Sequence, residues 1–288
     1  MSTHGTMTGK TVLITGATNG IGKAAAHALA KQDAHVLIVG RNPQKCAETV
    51  AEIQRSTGNQ AVEALTADLS SLAEVRRLAD QVKATSPRLH VLLNNAGAYY
   101  NARQNSADGY EMSFALNHLS YFYLTVLLLD LLKASAPARV INVSSGAHMF
   151  AKLNLTDPHD PKNYNGFRIY GETKLANVVF TYALARRLQG TGVTANAMHP
   201  GLVRTGFGHN NSGLITRIFG VLQRFGLTPE QGADTAVYLA SSPDVEGVTG
   251  KYFIKRRATA SSRASYDQQA GEALWALSER LIAEKQPA

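Results

Sequence analysis

The stretch Thr11-Val12-Leu13-Ile14-Thr15-Gly16-Ala17-Thr18-Asn19-Gly20-Ile21-Gly22 decides the fold. A short β-favouring run passes straight into closely spaced glycines, and the alanine-rich segment Lys23–Gln32 behind them reads as a helix. A strand, a tight turn and a helix in that order aim the free N–H groups and the positive end of the helix at a phosphate. Gly16 suits the tight turn, Gly20 lets backbone approach a pyrophosphate, and Gly22 lets the helix pack close to the strand. Thr18, Asn19 and Ile21 fill the turn, so the segment Gly16–Gly22 is the expected dinucleotide cradle.

Working outward, the alternation continues. Strands are expected at His35–Val39, Ala61–Thr66, His90–Leu93, Ala138–Val143, Val193–Met198 and Tyr252–Ile254. Helices are expected at Pro43–Arg55, Leu72–Thr85, Gly109–Ser135, Ile169–Gln189, Thr228–Ser241 and Ala273–Ile282. Ser70 or Ser71 should cap the Leu72 helix, with Glu74 at its third position if Ser71 caps. Strands separated by long helices need crossovers, hence a parallel sheet covered on both faces. The expectation is one doubly wound, Rossmann-type α/β domain over residues 1–288, with a parallel sheet of about seven strands. Gly146–Arg168 and Gly201–Gly226 break the alternation, although Leu214–Leu222 has the look of an apolar helix. Both follow strands, at the carboxyl end of the sheet, and are expected to form substrate-side loops.

Composition narrows the function. With 288 residues, 44% of them hydrophobic, the chain is no disordered or low-complexity protein. Cys46 is the one cysteine, which excludes an internal disulfide and a cysteine-built metal site and suits a reducing compartment. The net charge of +8 is scattered, its longest cluster being Lys255-Arg256-Arg257, so no nucleic-acid partner is expected. No His, Asp and Glu set has metal-ligand spacing. Met1–Lys10 lacks a charged-then-apolar signal pattern, and Leu124–Leu132, the longest apolar run, contains Asp130. No membrane anchor is expected, and a cytoplasmic location is.

The second strand ends in Gly40-Arg41-Asn42, with no carboxylate to hold ribose hydroxyls and repel a 2′-phosphate. Arg41 offers a guanidinium fork for that phosphate, which points to NADP(H). Tyr170 and Lys174 stand one helical turn apart and share a face. An ammonium beside a phenol should lower its pKa and ready it for acid–base work on a carbonyl or alcohol oxygen.

On these residues the chain resembles the short-chain dehydrogenases/reductases. The glycine turn, Asp68-Leu69 after the third strand, Asn94-Asn95-Ala96-Gly97 after the fourth, Asn117, Ser144-Ser145, the Tyr170–Lys174 pair and Pro200-Gly201 with Thr205 follow the family's motifs in order. The resemblance implies that Asn117, Ser145, Tyr170 and Lys174 are catalytic, with Ser145 preferred to Ser144 for holding the substrate oxygen and Asn117 positioning Lys174 through water. It implies cofactor contacts at Asp68, Leu69, Asn95, Ala96, Gly97, Pro200, Gly201, Val203 and Thr205, besides the glycine turn, Arg41, Asn42, Tyr170 and Lys174. Arg139–His148, Lys174–Phe180 and Ala185–Val193 resemble the retinol dehydrogenase and WW-domain oxidoreductase branch, from which Thr173 departs where many members have serine.

The expected activity is NADP(H)-dependent interconversion of a carbonyl and an alcohol on a fairly hydrophobic small molecule. A dinucleotide-binding sensor or scaffold and an epimerase of sugar nucleotides are the alternatives on this scaffold. Tyr99, Tyr100, Met149, Phe150, Phe207, Leu214, Ile218 and Phe219 are candidates for an apolar pocket, while His148 and His199 read as packing or loop residues. The helix Glu111–Leu132 is apolar nearly all round and needs cover on more than one side. The resemblance implies that it pairs across a two-fold axis, in a homodimer or homotetramer.

Overall fold

Strands buried on both faces need a helix layer above and below, and the chain supplies both. The structure, a computed structural model, describes residues 5–155, 164–203 and 226–285. Its strands are β1 Thr11–Thr15, β2 His35–Gly40, β3 Val62–Thr66, β4 Val91–Asn94, β5 Ala138–Val143, β6 Val193–His199, β7 Tyr252–Ile254 and β8 Arg257–Thr259. They form one sheet in the order β3-β2-β1-β4-β5-β6-β7-β8. All neighbours are parallel except β7 and β8. The order reverses between β1 and β4, and a crevice opens beyond their carboxyl ends, where ligands bind in this class of sheet.

The helices are α1 Gly20–Ala30, α2 Pro43–Thr57, α3 Leu72–Thr85, α4 Met112–Ala134, α5 Gly166–Arg187, α6 Pro229–Ser241 and α7 Gln268–Ala283. Ser71 takes the N-cap position of α3, but its side chain makes no cap bond. The carboxylate of Asp108 accepts from Leu72 N at 2.9 Å instead, a partner far along the chain.

The eighth strand departs from the sequence expectation. Ile254 pairs with Arg257, so only Lys255 and Arg256 make the turn, and both have left-handed backbone with φ of 49° and 61°. Two left-handed central residues give the tight hairpin that glycine or asparagine normally signals. Here α6 holds the turn: Thr235 Oγ1 accepts from Arg256 N at 3.2 Å, and Asp234 pairs with the Arg256 guanidinium. The charge cluster noticed in the sequence is thus a hairpin.

Helix α4 starts later than expected, because Asn105 and Glu111 bridge and Glu111 Oε2 then accepts from Phe114 N at 2.8 Å. Most of its apolar surface is covered within the chain, while Val126, Leu127, Leu129 and Leu131 stay half-buried. Buried residues of α3 and α7 join it in one core, and the Trp275 ring lies edge-on to Phe122 with centroids 4.9 Å apart. Tyr110, just ahead of α4, donates to Leu281 O on α7. The helix is long and apolar enough to cross a membrane, yet 67% of that stretch is buried inside this fold.

Candidate active site

The glycine turn is built by close approach. Gly16 has φ of 66°, and a Cβ there would stand 2.8 Å from Ala96 Cα. A Cβ on Gly22 would come within 2.4 Å of Gly16 O and 2.5 Å of Asn95 Nδ2. Thr15, which sequence reasoning passed over, rivets the two strand ends together. Its Oγ1 accepts from Asn95 N at 2.9 Å and Ala96 N at 3.0 Å. Asn95 Nδ2 returns bonds to Thr15 O at 2.9 Å and Gly16 O at 3.1 Å. Asn19 sits at the N-cap of α1 without a side-chain cap bond, so it leaves the first-turn N–H groups for another acceptor.

At the far end of this turn lies Arg41, exposed and lining the cleft. Gly40 is closely packed as well as free of a carboxylate: a Cβ would stand 2.5 Å from Thr18 Cγ2 and 2.8 Å from Cys46 Sγ, so those side chains would have to shift. Among the described residues Arg41 forms no ion pair, whereas nearby Lys23 is held by Glu52 at 2.6 Å. Asn42 has a structural role of its own. Its Oδ1 caps α2 by accepting from Lys45 N at 2.9 Å, at the edge of the cleft lining. Asp68 and Leu69 line the cleft, with Asp68 Oδ1 also accepting from Ser70 N and Oγ at 2.9 and 2.7 Å.

The other wall carries titratable groups. Ser145 lies two residues beyond β5, and it lines the cleft together with Tyr170 on α5. Both serines line the cleft, but Ser144 Oγ spends its proton on Lys174 O at 2.7 Å, which ties α5 to the end of β5. Lys174 Nζ donates to Val143 O at 3.1 Å and lies 5.7 Å from the Tyr170 ring centroid. Burial pushes the Lys174 ammonium down to about 7 and the Tyr170 phenol up to about 12, with the Ser145 hydroxyl pulling the phenol back. The expectation that Lys174 would lower the phenol is therefore corrected: desolvation is the larger effect on both.

Asn117 sits where α4 is wound as a π-helix, Ala115–Leu119. Such single-turn departures re-aim side chains. Asn117 lies fully buried behind the cleft. Its Oδ1 accepts from Ala98 N at 2.9 Å, and its Nδ2 donates to Ala98 O at 2.9 Å and Thr173 Oγ1 at 3.1 Å. Thr173 completes the link by donating to Tyr170 O at 2.8 Å. Gly97 makes room for all of this, since a Cβ there would stand 3.1 Å from Asn117 Oδ1 and 3.3 Å from Lys174 Nζ.

These walls enclose a cleft of about 950 Å³ that runs from Arg41 to Tyr170 and is also lined by Gly97, Pro200, Gly201 and Val203. Of the apolar candidates, Tyr99, Tyr100 and Phe150 line it and Met149 does not. Thr205, Phe207, Leu214, Ile218 and Phe219 lie outside the described residues. Gln104, Met112, Leu116 and Phe167 were missed; they come from distant parts of the chain and carry no local signal.

A profile described as short chain dehydrogenase matches residues 10–213. The chain belongs to the short-chain dehydrogenase family. Within it, this dehydrogenase is of the retinol dehydrogenase-like branch. It is 40% identical to retinol dehydrogenase 14 of Mus musculus over 96% of this chain and 87% of that one. It is also 40% identical to the WW domain-containing oxidoreductase of Pongo abelii, over 96% of this chain and 69% of that one. Among solved structures, the Pseudomonas aeruginosa RhlG/NADP active-site complex is similar with 30% identity and a TM-score of 0.70, covering 88% of this chain and 97% of that chain. The family binds a nicotinamide dinucleotide. The short-chain dehydrogenase cleft fits one: a glycine cradle that a Cβ would fill, helix N–H groups left for an acceptor, and a cation at its far end.

Proposed function

We propose that this dehydrogenase is an NADP(H)-dependent oxidoreductase that interconverts a carbonyl and an alcohol on an apolar small molecule, with Tyr170 as the acid–base group. The observation that carries the reading is the hydroxyl pair Ser145 and Tyr170 on the cleft wall, with Lys174 one turn behind. When bound, the dinucleotide supplies the hydride or accepts it. Backbone at Gly16, Gly20 and Ile21 would hold its pyrophosphate, Arg41 its 2′-phosphate, and Asp68-Leu69 with Asn95–Gly97 its adenosine half. Pro200, Gly201, Val203 and Thr205 would hold the nicotinamide end. The NADP in the similar RhlG complex supports this choice of dinucleotide.

With its pKa near 12 the phenol is protonated at neutral pH, the form needed to give a proton to a carbonyl oxygen. Ser145 would hold that oxygen in place. As negative charge develops on Tyr170, the charged form of Lys174 is favoured, so the two groups titrate together. Asn117 and Thr173 hold the backbone on either side of this pair. An apolar substrate is supported by Tyr99, Met112, Leu116, Phe150 and Phe167 along the cleft, and by the apolar alcohol for which the related retinol dehydrogenases are named. We place the enzyme in the cytoplasm, since 67% of the apolar stretch of α4 is buried inside the fold. Gly146–Arg168 and Gly201–Gly226 would shape the substrate end. A pure sensor has no use for the assembled hydroxyl pair. Tyr170→Phe tests the reading: NADPH consumption with an apolar aldehyde should fall by about 100-fold or more, while NADPH affinity by fluorescence stays near wild type. Retained turnover would reject it.

A further inference from the structure

The peptide unit joining Ser145 to Gly146 presents one carbonyl and one N–H, and a histidine meets each. Ser145 O lies 2.7 Å from His148 Nδ1. Gly146 N donates to His199 Nδ1 at 3.1 Å. A carbonyl can only accept and an N–H can only donate, so the partners dictate the ring forms. His148 must carry its proton on Nδ1. Its Nε2 accepts from Ser262 N at 3.2 Å, which makes that ring neutral. His199 must keep Nδ1 bare and, when neutral, carry its proton on Nε2.

The surroundings suit neutral rings. His148 is 0% exposed, and the ring of Tyr252 on β7 packs on it with centroids 4.8 Å apart. Burial pushes the His148 imidazolium down, and burial together with the neighbouring His148 pushes that of His199 down to about 4. The bland view of two packing histidines accounts for their burial. It does not account for opposite tautomers meeting on one peptide plane beside Ser145.

We propose that His148 and His199 are a pair of positioning residues that lock the Ser145–Gly146 peptide plane between opposite tautomers and so aim the Ser145 hydroxyl at the cleft. The inference rests on the reading of Ser145 as the group that holds the substrate oxygen. The short turn itself holds the peptide with longer bonds, from His148 N to Ser145 O at 3.2 Å and from Ala147 N to Ser145 Oγ at 3.3 Å, and a turn of the peptide plane would swing the side chain. His199 comes from β6, His148 from the short turn after Ser145, and Ser262 from the segment after β8. Three separate parts of the chain thereby converge on one peptide.

The test uses the full chain. In protein labelled with 15N-histidine at pH 7.5, ring nitrogen shifts should show His148 as the Nδ1–H form and His199 as the Nε2–H form. Assignment comes from His148→Gln and His199→Leu. In kinetics with NADPH and decanal, His199→Leu removes the acceptor and should lower kcat about 10- to 100-fold, the scale of a misplaced reacting group. Its melting temperature and fluorescence affinity for NADPH should stay near wild type. His199→Asn returns an acceptor at the position of Nδ1 and should bring kcat back to within a few-fold. A charged His199 at pH 7.5, a proton on its Nδ1, or wild-type kcat in His199→Leu would overturn the proposal. The shifts decide it whichever aldehyde is turned over. Failure of the underlying reading looks different: Ser145→Ala would then keep its turnover while both tautomers remain as assigned.

Discussion

His118 sits at the junction of α4, α5 and α7, fully buried among the rings of Phe114, Phe122 and Phe180. Ser278 Oγ on α7 spends its proton on Leu274 O at 2.8 Å, so it accepts from His118 Nε2 at 3.0 Å. Burial pushes His118 from 6.5 down to about 4, with Asn177 pulling slightly the other way. The unfolded chain therefore binds the proton more readily, and stability from this group is lost as pH falls from about 6.5 to about 4. At roughly 1.4 kcal/mol per pH unit, the loss across that window is about 3 kcal/mol. His118→Gln keeps a polar side chain without the titration. We expect it to be less stable than wild type at pH 8 by about 1 kcal/mol, from imperfect bonding to Ser278. The gap should shrink and then invert by pH 4.5. Urea unfolding followed by circular dichroism at pH 8, 6.5, 5.5 and 4.5 measures both curves. Other buried histidines, His199 among them, contribute equally to the two proteins and cancel. Parallel curves over the whole range would refute the assignment of acid lability to His118.

Arg41→Ala should erode a preference for NADPH over NADH of roughly 10- to 150-fold, the worth of one charge-assisted bond, as read from kcat/KM with each dinucleotide. An unchanged ratio would show that another residue reads the phosphate. Gly97→Ala should fold with a melting temperature within a few degrees of wild type, yet its Cβ would crowd Lys174 Nζ and Asn117 Oδ1. Turnover should then drop roughly 10- to 100-fold, and wild-type turnover would disprove the crowding. Asp108→Ala removes the remote cap of α3 and should cost about 1 kcal/mol in urea unfolding. No loss would mean that water caps the helix as well.

The parts legible in sequence are those that local chemistry dictates. Buried strands declare themselves by apolar runs, and Gly16–Gly22 and Tyr170–Lys174 by spacing within one turn or helix. What stayed hidden depends on partners far along the chain. The cap of α3 comes from Asp108, and the β8 hairpin turns on Lys255 and Arg256 because α6 holds them. The pKa of Lys174 is of the same kind. Proximity on a helix suggested an ammonium acting on a phenol, and only the enclosed site shows that desolvation dominates both groups.

The docking of α7 on α4 and α5 also has a consequence for synthesis. During translation the chain emerges from its amino end, and domains begin to fold before they are complete. Residues 268–283 are synthesised after α4 and α5, so the apolar flank that Trp275, Leu277 and Leu281 will cover faces water until they emerge. Until then the nascent polypeptide carries an open hydrophobic slab, a natural chaperone target, for which α7 is the lid.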